Sequence, residues 1–162
     1  MGSVAAVLLG LFPRLDTQAA DGIGSIQCSI AGVTNRFTVS PQAVETTKEG
    51  LQLFAFTDIR ARAASLSLTI PAPRLGTFRL RDAPGMTLQW SRSTYSSSTD
   101  DYYDARRGLA GTTLEVTVDK LGGIGETIEG RFSGIVANGL GQLVTLTNGT
   151  FCLVRSAPTV GQ

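Results

Sequence analysis

From Thr127 to Val154 the chain reads TIEGRFSGIVANGLGQLVTLTNGTFCLV. Through much of this run apolar residues or glycines alternate with polar ones, a period of two that suits a pleated strand and defeats a helix. It reads as two strands joined by a glycine-rich turn, then a sharp bend at Asn148-Gly149 and a last strand. Asn148-Gly149-Thr150 also matches a glycosylation acceptor. Asn-Gly is a turn dipeptide that accepts positive φ, however, and the turn is the reading kept. An isolated ribbon of this kind is marginal in water, so it needs further strands to bury its apolar face.

Upstream the same grammar is fainter. Ser25 to Ile30 alternates with Ile26, Cys28 and Ile30 on one face; Ala31 to Asn35 reads as a turn and Arg36 to Val39 as a returning strand. Ser40 to Gly50, with Pro41 and polar residues, reads as a loop. Leu51–Thr57, Ser65–Ile70, Thr77–Leu80, Met86–Ser91 and Thr112–Val118 read as strands. About nine strands at this spacing predict an all-β fold, a single antiparallel β-sandwich of immunoglobulin-like or jelly-roll-like kind. The 162 residues suit one domain. That domain is placed at 25–155, after an N-terminal segment and linker (1–24) and before a short tail (156–162). No internal repeat and no second domain is evident.

The apolar run Ser3 to Phe12 has the length of a signal-peptide core and is too short to span a bilayer as a helix. Thr17-Gln18-Ala19 offers small residues for cleavage after Ala19. Alternatively the run stays in the protein, as a packing segment or as a donor strand for a neighbouring subunit. Charged residues make up 17% and the net charge is +1, so no field of one sign attracts nucleic acid or an anionic membrane. With no histidine, Ser-His-Asp and Cys-His catalysis lack their base, and Cys28 and Cys152 alone cannot complete a zinc shell. Those two cysteines point to one disulfide, which would close a long loop and stabilise the fold by about 4–5 kcal/mol; the alternative is two buried free thiols.

Ser91 to Gly108, SRSTYSSSTDDYYDARRG, carries no apolar period and reads as an exposed loop. Trp90, Tyr95, Tyr102 and Tyr103 could form an aromatic platform there for a glycan or a partner. Asp100, Asp101 and Asp104 are a weak calcium candidate, since the spacing of a calcium loop is absent and Arg106 and Arg107 adjoin them. Gly122-Gly123-Ile124-Gly125 has no helix after it to complete a phosphate cradle and reads as a turn. The acidic residues mostly occupy turns, so a carboxylate-based hydrolase is disfavoured. No cofactor and no enzymatic activity are expected.

The run from Gly111 to Phe151 is similar to the C-terminal half of small envelope proteins of Bacteroidota-type bacteria, often lipoproteins of a domain-of-unknown-function family. The pattern I-x-G-x-F-S-G falls on Ile128 to Gly134 and T-N-G-x-F on Thr147 to Phe151, with an earlier Gly76-Thr77-Phe78; the resemblance covers about residues 25 to 154. It implies a β-sandwich outside the cytoplasm and brings no catalytic residues; no lipobox cysteine is present. The expected role is a non-catalytic cell-envelope or secreted structural protein, a homo-oligomer or polymer joined by strand addition. The alternative is a ligand- or glycan-binding module using the Trp90–Tyr103 loop.

Overall fold

The computed structural model describes residues 24–46, 50–57, 64–92 and 102–157. The N-terminal apolar run, Ala19, Tyr95, Asp100 and Asp101 lie outside them. Eleven strands form: β1 (Ser25–Ile30), β2 (Val33–Phe37), β3 (Val39–Thr46), β4 (Gly50–Phe56), β5 (Ser65–Ile70), β6 (Gly76–Arg79), β7 (Thr87–Ser91), β8 (Tyr102–Arg106), β9 (Thr113–Leu121), β10 (Thr127–Asn138) and β11 (Leu143–Ser156). The all-β expectation holds. The nine-stranded antiparallel sandwich gives way to one mixed sheet of eleven strands, in which β11 and β3 run parallel.

The pairings close on themselves. β11 pairs with β3, β3 with β4, β4 with β5, β5 with β7, β7 with β8, β8 with β10, and β10 again with β11. Each of those seven strands therefore has a neighbour on both sides, with two residue pairs closing each of the β11–β3 and β8–β10 seams. Two pairs branch from the ring: β1 and β2 from β11, and β9 and β6 from β10. One apolar core runs through the molecule, including Leu51, Leu53, Leu66, Leu68, Leu88, Val116, Ile128 and Phe151.

Long strands make the ring possible, because β10 and β11 each change partner along their length. β11 follows β1 as far as Cys152 and meets β3 at Arg155 and Ser156. Arg155 secures that junction. Its guanidinium contacts Glu45 at 3.3 Å and donates to the Gly122 carbonyl, and its backbone bonds both ways with the 125–126 turn.

The β10–β11 ribbon explains the glycines of the two motifs. Gly130 lies opposite Phe151, and Phe132 opposite Gly149. A Cβ on Gly130 would stand 2.2 Å from the Thr117 carbonyl oxygen and 2.5 Å from the Phe151 ring. One on Gly149 would stand 2.3 Å from the Phe132 carbonyl oxygen. Each phenylalanine thus lies over the other strand's glycine, and the two rings stack with centroids 6.4 Å apart. The predicted bend at Asn148-Gly149 is a bulge inside one continuous strand, with Asn148 at φ 52, a value asparagine tolerates.

Register also decides the cysteines. Both thiols are buried and free. Ser25 lies opposite Cys152 and Ile26 opposite Phe151, so Cys152 shares a face with Ser25 while Cys28 shares the other with Ile26. Three residues of strand add about 10 Å of separation, beyond disulfide reach. The bulge at Asn148 lies past this stretch and cannot turn Cys152 inward. The predicted disulfide is corrected accordingly. Burial pushes the Cys28 thiol up to about 12, and it raises Cys152 as well, helped by the Glu129 carboxylate.

Two segments read as loops are strands. β3 carries Pro41 beside a register shift between Val39 and Gln42, a place where a missing N–H is tolerated. β8 lies within the serine- and tyrosine-rich segment and pairs with β7 from Thr87↔Arg106 to Ser91↔Tyr102. The first turn is tighter than predicted: only Ala31 and Gly32, both at positive φ, connect β1 to β2.

Candidate functional site

The predicted aromatic platform does not assemble. Trp90 and Tyr103 face each other across β7 and β8, and their rings lie 4.9 Å apart at 47° against the core. Tyr102, one residue away, faces the opposite side and is 39% exposed. Trp90 is 4% exposed and its Nε1–H finds no acceptor among the described residues. Asp104, of the calcium candidates, is a strand residue that pairs with Arg106 at 3.2 Å. No group of three or more His, Cys, Asp or Glu among the described residues could hold a metal ion.

Charge is concentrated elsewhere. A cleft of about 740 Å³ is lined by Arg79, Arg81, Arg106 and Arg107, with Glu115 the only carboxylate in its lining among the described residues. The hydroxyls of Thr112, Thr113 and Ser133 and the side chains of Leu80 and Leu109 complete its polar and apolar surfaces.

Two chain connections build it. The first runs from β6 to β7. Arg79 C=O accepts from the N–H groups of Asp82 and Ala83 at 2.9 and 3.0 Å, and Ala83 C=O accepts from Met86 at 3.1 Å. The second runs from β8 to β9. Arg106 C=O accepts from Leu109 at 3.1 Å, and Leu109 C=O accepts from the Thr112 N–H at 3.3 Å and its hydroxyl at 2.8 Å. Gly85 and Gly111 hold equivalent positions at φ 90 and 77. Leu80 N–H donates to Leu114 C=O at 2.8 Å, tying the first connection to the strand that leaves the second.

The two connections share a sequence pattern. Arg81 to Leu88 reads RDAPGMTL and Arg107 to Leu114 reads RGLAGTTL, so R-x-x-x-G-x-T-L occurs twice. Matching β6 to β8 and β7 to β9 also matches the β6–β9 pair to the β8–β7 pair, with registers agreeing to within one residue. The two strand pairs therefore share one motif and nearly one register, and arginines from both copies line one cleft. This short repeat is an addition to the sequence reading, which found none. It was the signal that could have located the site.

Three of the four arginines have carboxylate partners. Arg79 meets Glu115 at 2.9 Å, Arg81 meets Asp82 at 3.2 Å and Arg106 meets Asp104 at 3.2 Å. The Glu115 hydrogen bond and charge push the Arg79 guanidinium above its ordinary value. Arg79 and Glu115 are about half exposed, so solvent screens the pair and it contributes little to stability. Arg107 has no ion-pair partner among the described residues. Asp104 differs from the other carboxylates. Its side chain is 7% exposed and Oδ1 has no hydrogen-bond partner among the described residues. Desolvation raises its pKa, opposed by the Arg106 charge.

Fold and cleft together define a β-rich domain that carries a basic, ligand-sized concavity. No protein-family model, no curated protein and no solved structure matches the chain. No helix among the described residues is long and apolar enough to cross a membrane, which leaves strands unaddressed.

Proposed function

We propose that the protein is a non-catalytic, extracytoplasmic binding module that takes an oxyanion-bearing ligand in the arginine cleft. The observation that carries this is Arg107, a guanidinium without a carboxylate partner among the described residues, set beside three more arginines. Guanidinium forks match carboxylate, sulfate and phosphate geometry in pairs of hydrogen bonds. The cleft volume lies in the usual range for small-molecule sites. The absence of histidine from the chain and the resemblance to envelope proteins support the non-catalytic and extracytoplasmic parts. The glycan-binding alternative moves, in this reading, from the Trp90–Tyr103 loop to an acidic ligand in the cleft.

Calorimetric titration with sulfate and phosphate at low ionic strength tests it. Saturable binding should weaken steeply with salt and drop at least about tenfold in Arg107→Glu. Binding that survives Arg107→Glu unchanged would remove the cleft from consideration.

A second reading, a structural subunit assembled by strand addition, draws on β6. Among the described residues this strand pairs only with β9, which leaves its other side able to accept an extended segment. Light scattering across a wide concentration range decides this one, and a strictly monomeric full-length protein rules it out.

A further inference from the structure

The doubled motif around the cleft specifies more than a positive charge. Arg81 and Arg107 open the two copies of R-x-x-x-G-x-T-L, and both line the same concavity. Arg79 lies on the first side and Arg106 on the second, so each connection supplies two guanidiniums. Among the described residues the lining contains no aromatic side chain, so they offer no stacking platform of the kind a nucleobase or other planar ring would use. The described lining offers a pair of fork-shaped donors from each half, three hydroxyls, three leucines and the Glu115 carboxylate that pairs with Arg79.

We infer that the cleft takes a non-aromatic ligand bearing two separate oxyanion groups, one held from each connection, and that a sugar unit decorated with two sulfates or carboxylates is the chemistry it fits. This rests on the oxyanion-binding reading of the cleft and narrows it. Two groups on one scaffold gain because the second engages at high effective concentration once the first is held. The hydroxyls of Thr112, Thr113 and Ser133 supply neutral partners for ring hydroxyls, and Leu80 and Leu109 supply apolar surface for C–H groups. Inorganic pyrophosphate shares the two-group chemistry without the sugar, so it separates the two sources.

The experiment is a calorimetric series on the full chain with four probes: a disulfated disaccharide, its monosulfated counterpart, pyrophosphate and phosphate. The disulfated disaccharide should bind at least about tenfold more tightly than the monosulfated one. Arg81→Gln and Arg107→Gln should each bring that ratio close to one, with melting temperatures unchanged to show that both variants fold. Equal affinity for one-group and two-group probes, or a ratio that neither substitution alters, overturns the two-sided inference and leaves a simple oxyanion site. A two-group advantage confined to pyrophosphate overturns the sugar assignment. Failure of all four probes to bind overturns the cleft reading itself, and this inference with it.

Discussion

The β10–β11 ribbon and the paired connections at the cleft are both built on glycine, and they use it for opposite ends. In the ribbon Gly130 and Gly149 are buried under phenylalanine rings, and a Cβ would strike backbone at 2.2 and 2.3 Å. At the cleft Gly85 and Gly111 turn the chain through positive φ. A Cβ at Gly85 would meet nothing nearer than 3.9 Å, and one at Gly111 would meet only the flexible end of Leu143. The first pair makes packing possible; the second aims strands so that arginines converge. The conspicuous motif of the sequence, I-x-G-x-F-S-G with T-N-G-x-F, is thus a packing device. The arginines that line the cleft sit in a pattern that looks like ordinary turns.

The strongest way to break this contrast is Gly130→Ala. The added methyl meets the Thr117 carbonyl oxygen of the neighbouring strand and the Phe151 ring, neither of which can retreat without opening the sheet. A loss of at least about 3 kcal/mol is expected, toward the upper end of overpacking costs, read by urea denaturation. Gly85→Ala at the cleft has room for its methyl and suffers only the left-handed penalty, about 1–2 kcal/mol. Equal losses at the two sites would erase the distinction between packing glycines and turning glycines.

The same contrast explains what was legible in advance. β1 and β5 carry one clean apolar face, and the sequence reading placed them at Ser25–Ile30 and Ser65–Ile70, as found. β3 fully buries little besides Ala43, and β8 turns in only Tyr103 and Ala105, so neither shows a period of two to a reader of hydrophobicity. Asp104 hides β8 further, because a buried carboxylate held by Arg106 looks like a loop residue until its partner strand is known. Ring closure was out of reach for another reason. It depends on two residues at the end of β11, Arg155 and Ser156, meeting Ala43 and Val44 more than a hundred positions away. The face of Cys152 was readable from alternation alone, and that alternation already set it apart from Cys28. The arginines were visible as residues but not as a cluster, since their convergence comes from two connections that each join the ring to the β9–β6 branch.

A middle-sized effect sharpens the division of labour inside the cleft. Arg106→Gln should cost about 1–3 kcal/mol, because it strips the counter-charge from a carboxylate that is 7% exposed and already has one orphaned oxygen. Arg107→Gln, without an ion pair to lose, should stay within about 0.5 kcal/mol of the parent. Thermal melting of the two variants side by side measures the difference. If both melt alike, Arg106 belongs with Arg107 as a binding residue only.

The smallest effect comes from Asp104 itself, and its sign depends on pH. Desolvation raises the Asp104 pKa above the ordinary carboxylate value despite the pull of Arg106. The folded state therefore holds that proton more tightly than the unfolded chain. The stability this group contributes is full below the ordinary carboxylate range and is lost as pH rises through the raised folded value. Asp104→Asn keeps the shape and removes the buried charge. The variant should be more stable than the parent at pH 7, by less than about 1 kcal/mol, and the gain should vanish in acid, where Asp104 is protonated in both states. Urea midpoints at pH 7 and pH 3 measure it. A variant that is less stable at pH 7 would mean that the Arg106 pair outweighs desolvation. Asp104 would then join the ribbon glycines as a residue on which the fold depends, and would cease to be a tolerated charge beside the arginine cleft.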